Sequence, residues 1–177
     1  LVVDMLKGFL EPEHNLYCGD DARKIISKVV ALLDKQSTAG ATILFINDNH
    51  APNDLELQIF PVHCVTGTEE AAIINELQQY KTSTNIINKN RYSGFFNTDL
   101  EVRLAHLSPE KLIICGVCTD ICVLHTASDA RNRDYSVEVP VDCVATFDLY
   151  AHEWALSHME QILGVKLLGP NQEGNLR

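Results

Sequence analysis

Long apolar runs are missing from this sequence. No stretch approaches the roughly 20 residues that a bilayer core demands, so a membrane span is not expected. Basic residues are scarce too, with 14 Lys and Arg against 24 Asp and Glu and a formal net charge of −10. That charge argues against a nucleic-acid backbone or an anionic membrane as partner. No glycine-rich phosphate loop follows the first apolar run, which argues against a flavodoxin-like nucleotide carrier. Repeats, low-complexity tracts and a domain linker are also absent from it, and a signal peptide is not expected. The chain opens at Leu1 inside an apolar run, so a few upstream residues are expected to be missing. The cysteines, Cys18, Cys64, Cys115, Cys118, Cys122 and Cys143, do not form a short disulfide framework. Reduced thiols in a cytoplasmic protein are therefore expected. What is present is ordinary for a globular chain: 177 residues, 46% hydrophobic and 21% charged, predicting one domain over 1–177.

Strand and helix signals alternate along the chain. Leu1 to Asp4 reads as the end of a buried strand, and 20–38 as a helix with an apolar stripe through Ile25, Ile26, Val29, Val30, Leu32 and Leu33. A strand without polar alternation follows at 41–47, as expected when both faces are covered. The next twenty or so residues, 48–68, form a polar loop of a length that is usually functional. A helix is predicted at 69–80, a strand near 85–88 and a loop at 89–96. Thr98 and Glu101 have the spacing of a capping box opening a helix that ends before Pro109. The run 112–115 is a fourth strand, broken by Gly116. Thr119 then stands as N-cap of a helix from about 120 to 133. Strands at 135–139 and 165–168 flank a short strand or irregular piece at 141–146 and a helix at about 150–163; the tail from Gly169 reads as loose. The alternation predicts an α/β fold: a three-layer α-β-α sandwich around a doubly wound, six-stranded, mostly parallel sheet.

In such sheets ligands bind beyond the carboxyl ends of the strands. Asp4 ends the first strand, Asp48 and His50 follow the second, Lys89 ends the third, and Cys118 and Cys122 follow the fourth. Cys122 falls in a helix first turn, where partial positive charge favours a thiolate. It is a candidate nucleophile, although a cysteine in an apolar segment is also a common core residue. Cys118 is an equal candidate on these grounds, but its spacing from Cys122 does not fit Cys-x-x-Cys. Asp4, a carboxylate among apolar residues, should have a raised pKa and suits proton shuttling; it reads equally as a loop cap. Lys89 could orient Asp4 or be a solvated surface group. His125 is an alternative base or a packed helix residue. Backbone N–H groups from Gly116 to Cys122 are placed for an oxyanion. In the long loop, Asp48, His50, Glu56 and His63 form a mixed N/O set that suits Zn²⁺, Fe²⁺ or Mn²⁺ better than Ca²⁺, or else a merely polar loop.

The stretch from Gly116 to Ala127, Gly-Val-Cys-Thr-Asp-Ile-Cys-Val-Leu-His-Thr-Ala, resembles the nucleophile block of the isochorismatase-like cysteine hydrolases, within them the nicotinamidases. The resemblance covers nearly the whole chain. It implies that Cys122, after Thr119-Asp120-Ile121, is the nucleophile, with Asp4 and Lys89 completing the catalytic set. A cis peptide between Val117 and Cys118 is implied, with the Cys118 and Cys122 amides as oxyanion hole. It further implies a divalent metal, most often zinc, on Asp48, His50, Glu56 and His63, and an aromatic sandwich of Phe9, Phe60 and Tyr92 about the substrate ring. The implied reaction, a step of NAD salvage, hydrolyses nicotinamide to nicotinate and ammonia through a thioester. A carbamoyl or ureido amidohydrolase, or a catalytically silent α/β binding module, are the alternatives. A small amide is the expected partner, and a homo-oligomer the expected assembly. Two positions depart from the family pattern: Gly8 stands where many members are acidic, and Cys118 where Ala or Leu is frequent, which implies sensitivity to oxidation.

Overall fold

The computed structural model describes residues 1–169; the loose tail expected beyond Gly169 lies outside them. Strands β1 (Val2–Val3), β2 (Phe45–Asp48), β3 (Ile86–Lys89), β5 (Cys115–Val117) and β7 (Val144–Ala145) form a parallel sheet in the order β3-β2-β1-β5-β7. Strands β4 (Leu112–Ile113), β6 (Val137–Pro140) and β8 (Lys166–Leu168) form a second parallel ladder, β4-β6-β8. The expected six-stranded sheet is thus split in two. The split falls inside one extended run. Ile114 N–H donates to Glu138 O at 3.0 Å, and the next amide, Cys115 N–H, donates the other way to Leu1 O at 3.0 Å. The fifth predicted strand is β6 alone; a 3₁₀ turn at Val141–Cys143 separates it from β7, which lies in the piece expected at 141–146.

Side-chain alternation explains why the strands read as unbroken apolar runs. Val2, Phe45, Cys115 and Val117 pack with Ile25, Ile26, Val29 and Leu33 of helix α3 (Ile25–Thr38). Val3, Ile46, Ile114 and Val144 point to the other face and join a second cluster. That cluster includes Leu100 and Leu104 of α4 (Leu100–Leu107), Leu124 and Ala127 of α5 (Leu124–Arg131), and Ala155 and Met159 of α6 (Leu149–Gln161). With both faces covered, neither side of a strand can be polar. Two short helices, α1 (Lys7–Leu10) and α2 (Asp20–Arg23), precede α3.

Three local expectations fail for identifiable reasons. The helix predicted at 69–80 is replaced by 3₁₀ turns at Glu69–Ala71 and Asn75–Tyr80. Between them the backbone pairs with the segment after β1: Lys7 N–H donates to Ala72 O, Ile74 N–H donates to Met5 O, and Ile73 bridges Leu6. Burial of both Ile73 and Ile74 in that pairing overrides helix propensity. The capping box does not form. Thr98 Oγ1 accepts from Leu100 N–H at 3.2 Å, Asp99 takes the N-cap position, and Glu101 reaches Arg133 instead. Thr119 is not an N-cap either; it begins a π turn, Thr119–Val123, that leads into α5, and its hydroxyl meets His152 Nδ1 at 2.9 Å.

Gly116 is the tightest point of the sheet. It pairs with Val3 in register at φ +118°, and a Cβ there would sit 1.9 Å from Val3 O. No side chain can occupy that space without parting β1 from β5. Gly116→Ala is therefore expected to accumulate insolubly or melt far below the parent in a thermal scan. A melting temperature equal to the parent's would contradict this packing.

Candidate active site

The sheet delivers its polar groups at the carboxyl ends of its strands. Asp4 follows β1 directly, with its amide on Ile46 O at 2.9 Å and φ +50°, a left-handed turn that few non-glycine residues adopt. Asp48 and Lys89 are register partners at the ends of β2 and β3. The π turn after β5 carries Cys122, and the peptide joining Val117 to Cys118 is cis.

These groups converge on one buried ammonium. Lys89 Nζ lies 2.8 Å from Asp4 Oδ2 and 3.5 Å from Cys122 Sγ, and it also donates to Asp48 Oδ1. Asp48 N–H donates to Asp4 Oδ1 at 2.7 Å. One carboxylate oxygen from each aspartate and the Cys122 sulfur lie within 4.8 Å of one another. All four side chains are buried. Burial, with the Asp48 carboxylate adding to it, raises the Asp4 pKa to about 6 against the opposing pull of Lys89. Burial pushes Asp48 up too, but Lys89 and His50 outweigh it and hold that carboxyl below its usual value. Lys89 goes well above its ordinary range because its two carboxylates outweigh its own burial. The thiol contradicts the sequence expectation. Burial drives the Cys122 pKa well above that of a free cysteine, and Lys89 offsets only part of it. Burial thus favours the thiol over the thiolate.

The second cluster lies beside the first. Asp48 Oδ2 is 3.7 Å from His50 Nε2 and 3.9 Å from His63 Nε2, too far for hydrogen bonds. His63 Nδ1 is 2.8 Å from Pro61 O, so it carries the proton and frees the Nε2 lone pair. The Nδ1 of His50 lies 3.5 Å from Asp54 Oδ2. Asp54 is fixed in turn by Arg91 at 2.7 Å and by Glu56 N–H at 3.0 Å. Both imidazoles therefore turn Nε2 toward Asp48. Glu56 Oε2 and His50 Nε2 are buried without a hydrogen-bond partner. Ligand atoms from Asp48, His50, Glu56 and His63 lie within 4.8 Å of one another, and all four residues are buried. Orphaned acceptors converging in this way fit a divalent cation with bonds of about 2.0–2.2 Å.

A cavity joins the two clusters. Cys122, Cys118 and Asp4 face it from one side, and Asp48, Glu56 and His63 from another. Phe9, Phe60 and Tyr92 line it, with Phe60 and Tyr92 meeting edge to face at 6.4 Å between centroids. The structure adds Leu16, Ile121 and Phe147 to its walls. No sequence pattern marked those three, because loop residues distant in sequence meet here only through the fold. Asp54 was also missed, although its place four residues after His50 in an acidic loop was a usable signal. His125 does not line the cavity; it is exposed, bonded to Ile121 O and tilted against Tyr92 at 5.3 Å between centroids. Gly8 leaves no gap in the pocket, since a Cβ there would press on Cys64 Sγ at 2.9 Å and on Glu70 at 3.2 Å.

A parallel α/β sheet carrying a buried cysteine, aspartate and lysine beside a metal-competent acid/histidine set has the groups of a hydrolase site. The Isochorismatase domain matches residues 1–167, and the chain belongs to that family. Among curated relatives, the isochorismatase family protein PncA of Bacillus subtilis is 35% identical over 176 residues, covering 94% of this chain and 96% of its own. The crystal structure of nicotinamidase PncA from Bacillus subtilis superposes with a TM-score of 0.87 at 34% identity, over 94% of this chain and 96% of that one. Pyrazinamidase of Pyrococcus horikoshii in complex with zinc gives 0.85 at 31% identity, over 95% and 96%. The N-carbamoylsarcosine amidase of Thermoplasma acidophilum gives 0.85 at 26% identity, over 98% and 96%. Fold alone therefore does not select the substrate.

Replacing Lys89 by methionine would leave Asp4 and Asp48 as two buried carboxylates without their shared cation. Lys89→Met is expected to lower the unfolding free energy by about 3–5 kcal/mol, read by urea denaturation. An unchanged urea midpoint would show that the three charges are not coupled.

Proposed function

We propose that the protein is a nicotinamidase, a cysteine-dependent amidohydrolase converting nicotinamide to nicotinate and ammonia. One observation carries the reading. The cavity is walled by aromatic rings between the Cys122 thiol and the acid/histidine set, and no lysine or arginine is among the described residues lining it. A carbamoyl amino acid or a ureido acid brings its own carboxylate, and no lysine or arginine of the lining stands ready to pair with it. A neutral aromatic amide meets rings on its faces and a polar set at its edge, and needs no such partner.

In this reading Asp4 takes the proton of Cys122, and Lys89 stabilises the thiolate at 3.5 Å. The sulfur attacks the carboxamide carbon while the carbonyl electrons move onto oxygen, which the Cys118 and Cys122 amides hold. Protonated Asp4 returns its proton to the amide nitrogen, the C–N bond breaks and ammonia leaves a thioester. Asp4 then accepts a proton from water as it adds to the acyl carbon, the C–S bond breaks, and nicotinate leaves. Phe9, Phe60 and Tyr92 hold the ring in plane. Asp48, His50, Glu56 and His63 would hold a divalent ion, zinc on the strength of its mixed N/O ligands, which supplies a Lewis-acid contact for the pyridine nitrogen. The six buried thiols suit a reducing cytoplasm, where the reaction would feed NAD salvage.

Ammonia release from a panel of nicotinamide, pyrazinamide, a ureido acid and a carbamoyl amino acid tests the assignment. Nicotinamide and pyrazinamide are expected to give the highest kcat/KM. A higher value for either acid would overturn the reading in favour of a carbamoyl or ureido hydrolase. Cys122→Ala is expected to abolish release with its melting curve unchanged, and retained activity would remove the nucleophile. Metal removal by a chelator, checked by metal analysis, is expected to raise KM for the pyridine amides; an unchanged KM in the stripped protein would contradict the role given to the acid/histidine set.

A further inference from the structure

Cys118 contributes more to the cavity than its amide. Its sulfur lies 3.5 Å from that of Cys18, 100 residues away in the chain, in the loop before α2. Both residues are 5% exposed. Cys18 belongs to the loop that forms the opposite wall: its N–H donates to Phe9 O at 2.8 Å, and both Phe9 and Leu16 line the cavity. Cys118 itself lines the cavity, so a molecule as small as a peroxide reaches its sulfur by the substrate's route. Next to Cys18 stands Gly19 at φ +93°, a backbone position free to adjust.

We propose that Cys18 and Cys118 form a reversible disulfide under peroxide, and that this bond switches the amidase site off. The Cys118 sulfur gives up its thiol proton as it attacks one oxygen of hydrogen peroxide. The O–O bond breaks, and the departing hydroxide takes up the thiol proton as water. The resulting sulfenic acid is attacked by the Cys18 sulfur; the S–O bond breaks and a second water leaves with the Cys18 proton. Two thiols lose two electrons, and one peroxide gains them. Bond formation shortens the sulfur separation from 3.5 Å to about 2.05 Å. The Cys118 side chain is drawn toward the Phe9 loop, away from Cys122. Its amide, one of the two assigned to the oxyanion, moves with it. Loss of one such donor lowers kcat by about a hundredfold.

The bond itself is read without any substrate, so this test stands apart from the choice of amide. Folded Cys122→Ala protein, which lacks the competing sulfur, is treated with hydrogen peroxide, alkylated and digested with trypsin. The expected product joins peptide 8–23 to peptide 112–131, with fragmentation placing the link at Cys118 and dithiothreitol releasing it. In the unsubstituted enzyme, peroxide should cause a loss of activity that dithiothreitol restores. Cys18→Ser should retain its basal activity and lose that recoverable fraction; Cys18→Ala, checked by its melting curve, separates this from misfolding. Absence of the linked peptide, a link at Cys115, or the same recoverable loss in both Cys18 variants would overturn the proposal.

Discussion

Everything at the site depends on one buried ammonium shared by two carboxylates. Lys89 holds Asp4 and Asp48 together, and those two aspartates belong to different machinery. Asp4 faces the thiol, while Asp48 turns its other oxygen to His50 and His63. Removing the cation would not merely loosen one pair; it would place two negative charges in a dry pocket that also holds Glu56. The ammonium also explains how a thiol raised by burial can react, because the same charge that pairs the aspartates sits 3.5 Å from the sulfur. In the proposed reaction, proton acceptance by Asp4 and anion stabilisation by Lys89 are therefore two consequences of one arrangement.

Sheet register creates that arrangement. Asp48 opposes Lys89 across β2 and β3, and Val3 opposes Gly116 across β1 and β5. Because the strands are parallel and start their pairing in step, their last residues arrive at one edge, and groups far apart in sequence become neighbours. The absence of a Cβ at Gly116 lets β5 approach β1 closely, which brings the π turn and Cys122 within reach of Lys89. The metal-competent loop depends on the same edge, since Asp48 is both the end of β2 and the first member of the acid/histidine set.

Much of this was legible in the sequence, and the limits were physical. Apolar runs and the residues ending them marked β1, β2, β3 and β4, because a doubly covered parallel strand leaves few other signatures; Gly116, which reads as a strand break, lies inside β5. The polar loop announced itself through His50, Glu56 and His63. Features that depend on distant pairing were not legible. Ile73 and Ile74 fit a helix in isolation, and only their partners Leu6 and Met5 pull them into an extended segment. Glu101 chose Arg133 over a cap, and Thr119 chose His152. Phe147 reaches the cavity from a loop that carries no motif. The thiol's ionisation was misjudged because a helix-terminus argument ignores burial, and here burial dominates.

The account's central claim is that Cys122 becomes acylated by an aromatic amide in this cavity. Mixing the enzyme with excess nicotinamide, quenching in acid on the millisecond scale and measuring the intact mass tests it most directly. The account predicts a transient species heavier by one nicotinoyl group, located by fragmentation on Cys122 in peptide 112–131, decaying as nicotinate appears. Ammonia release without such a species at any quench time, or a nicotinoyl group on another residue, would contradict it.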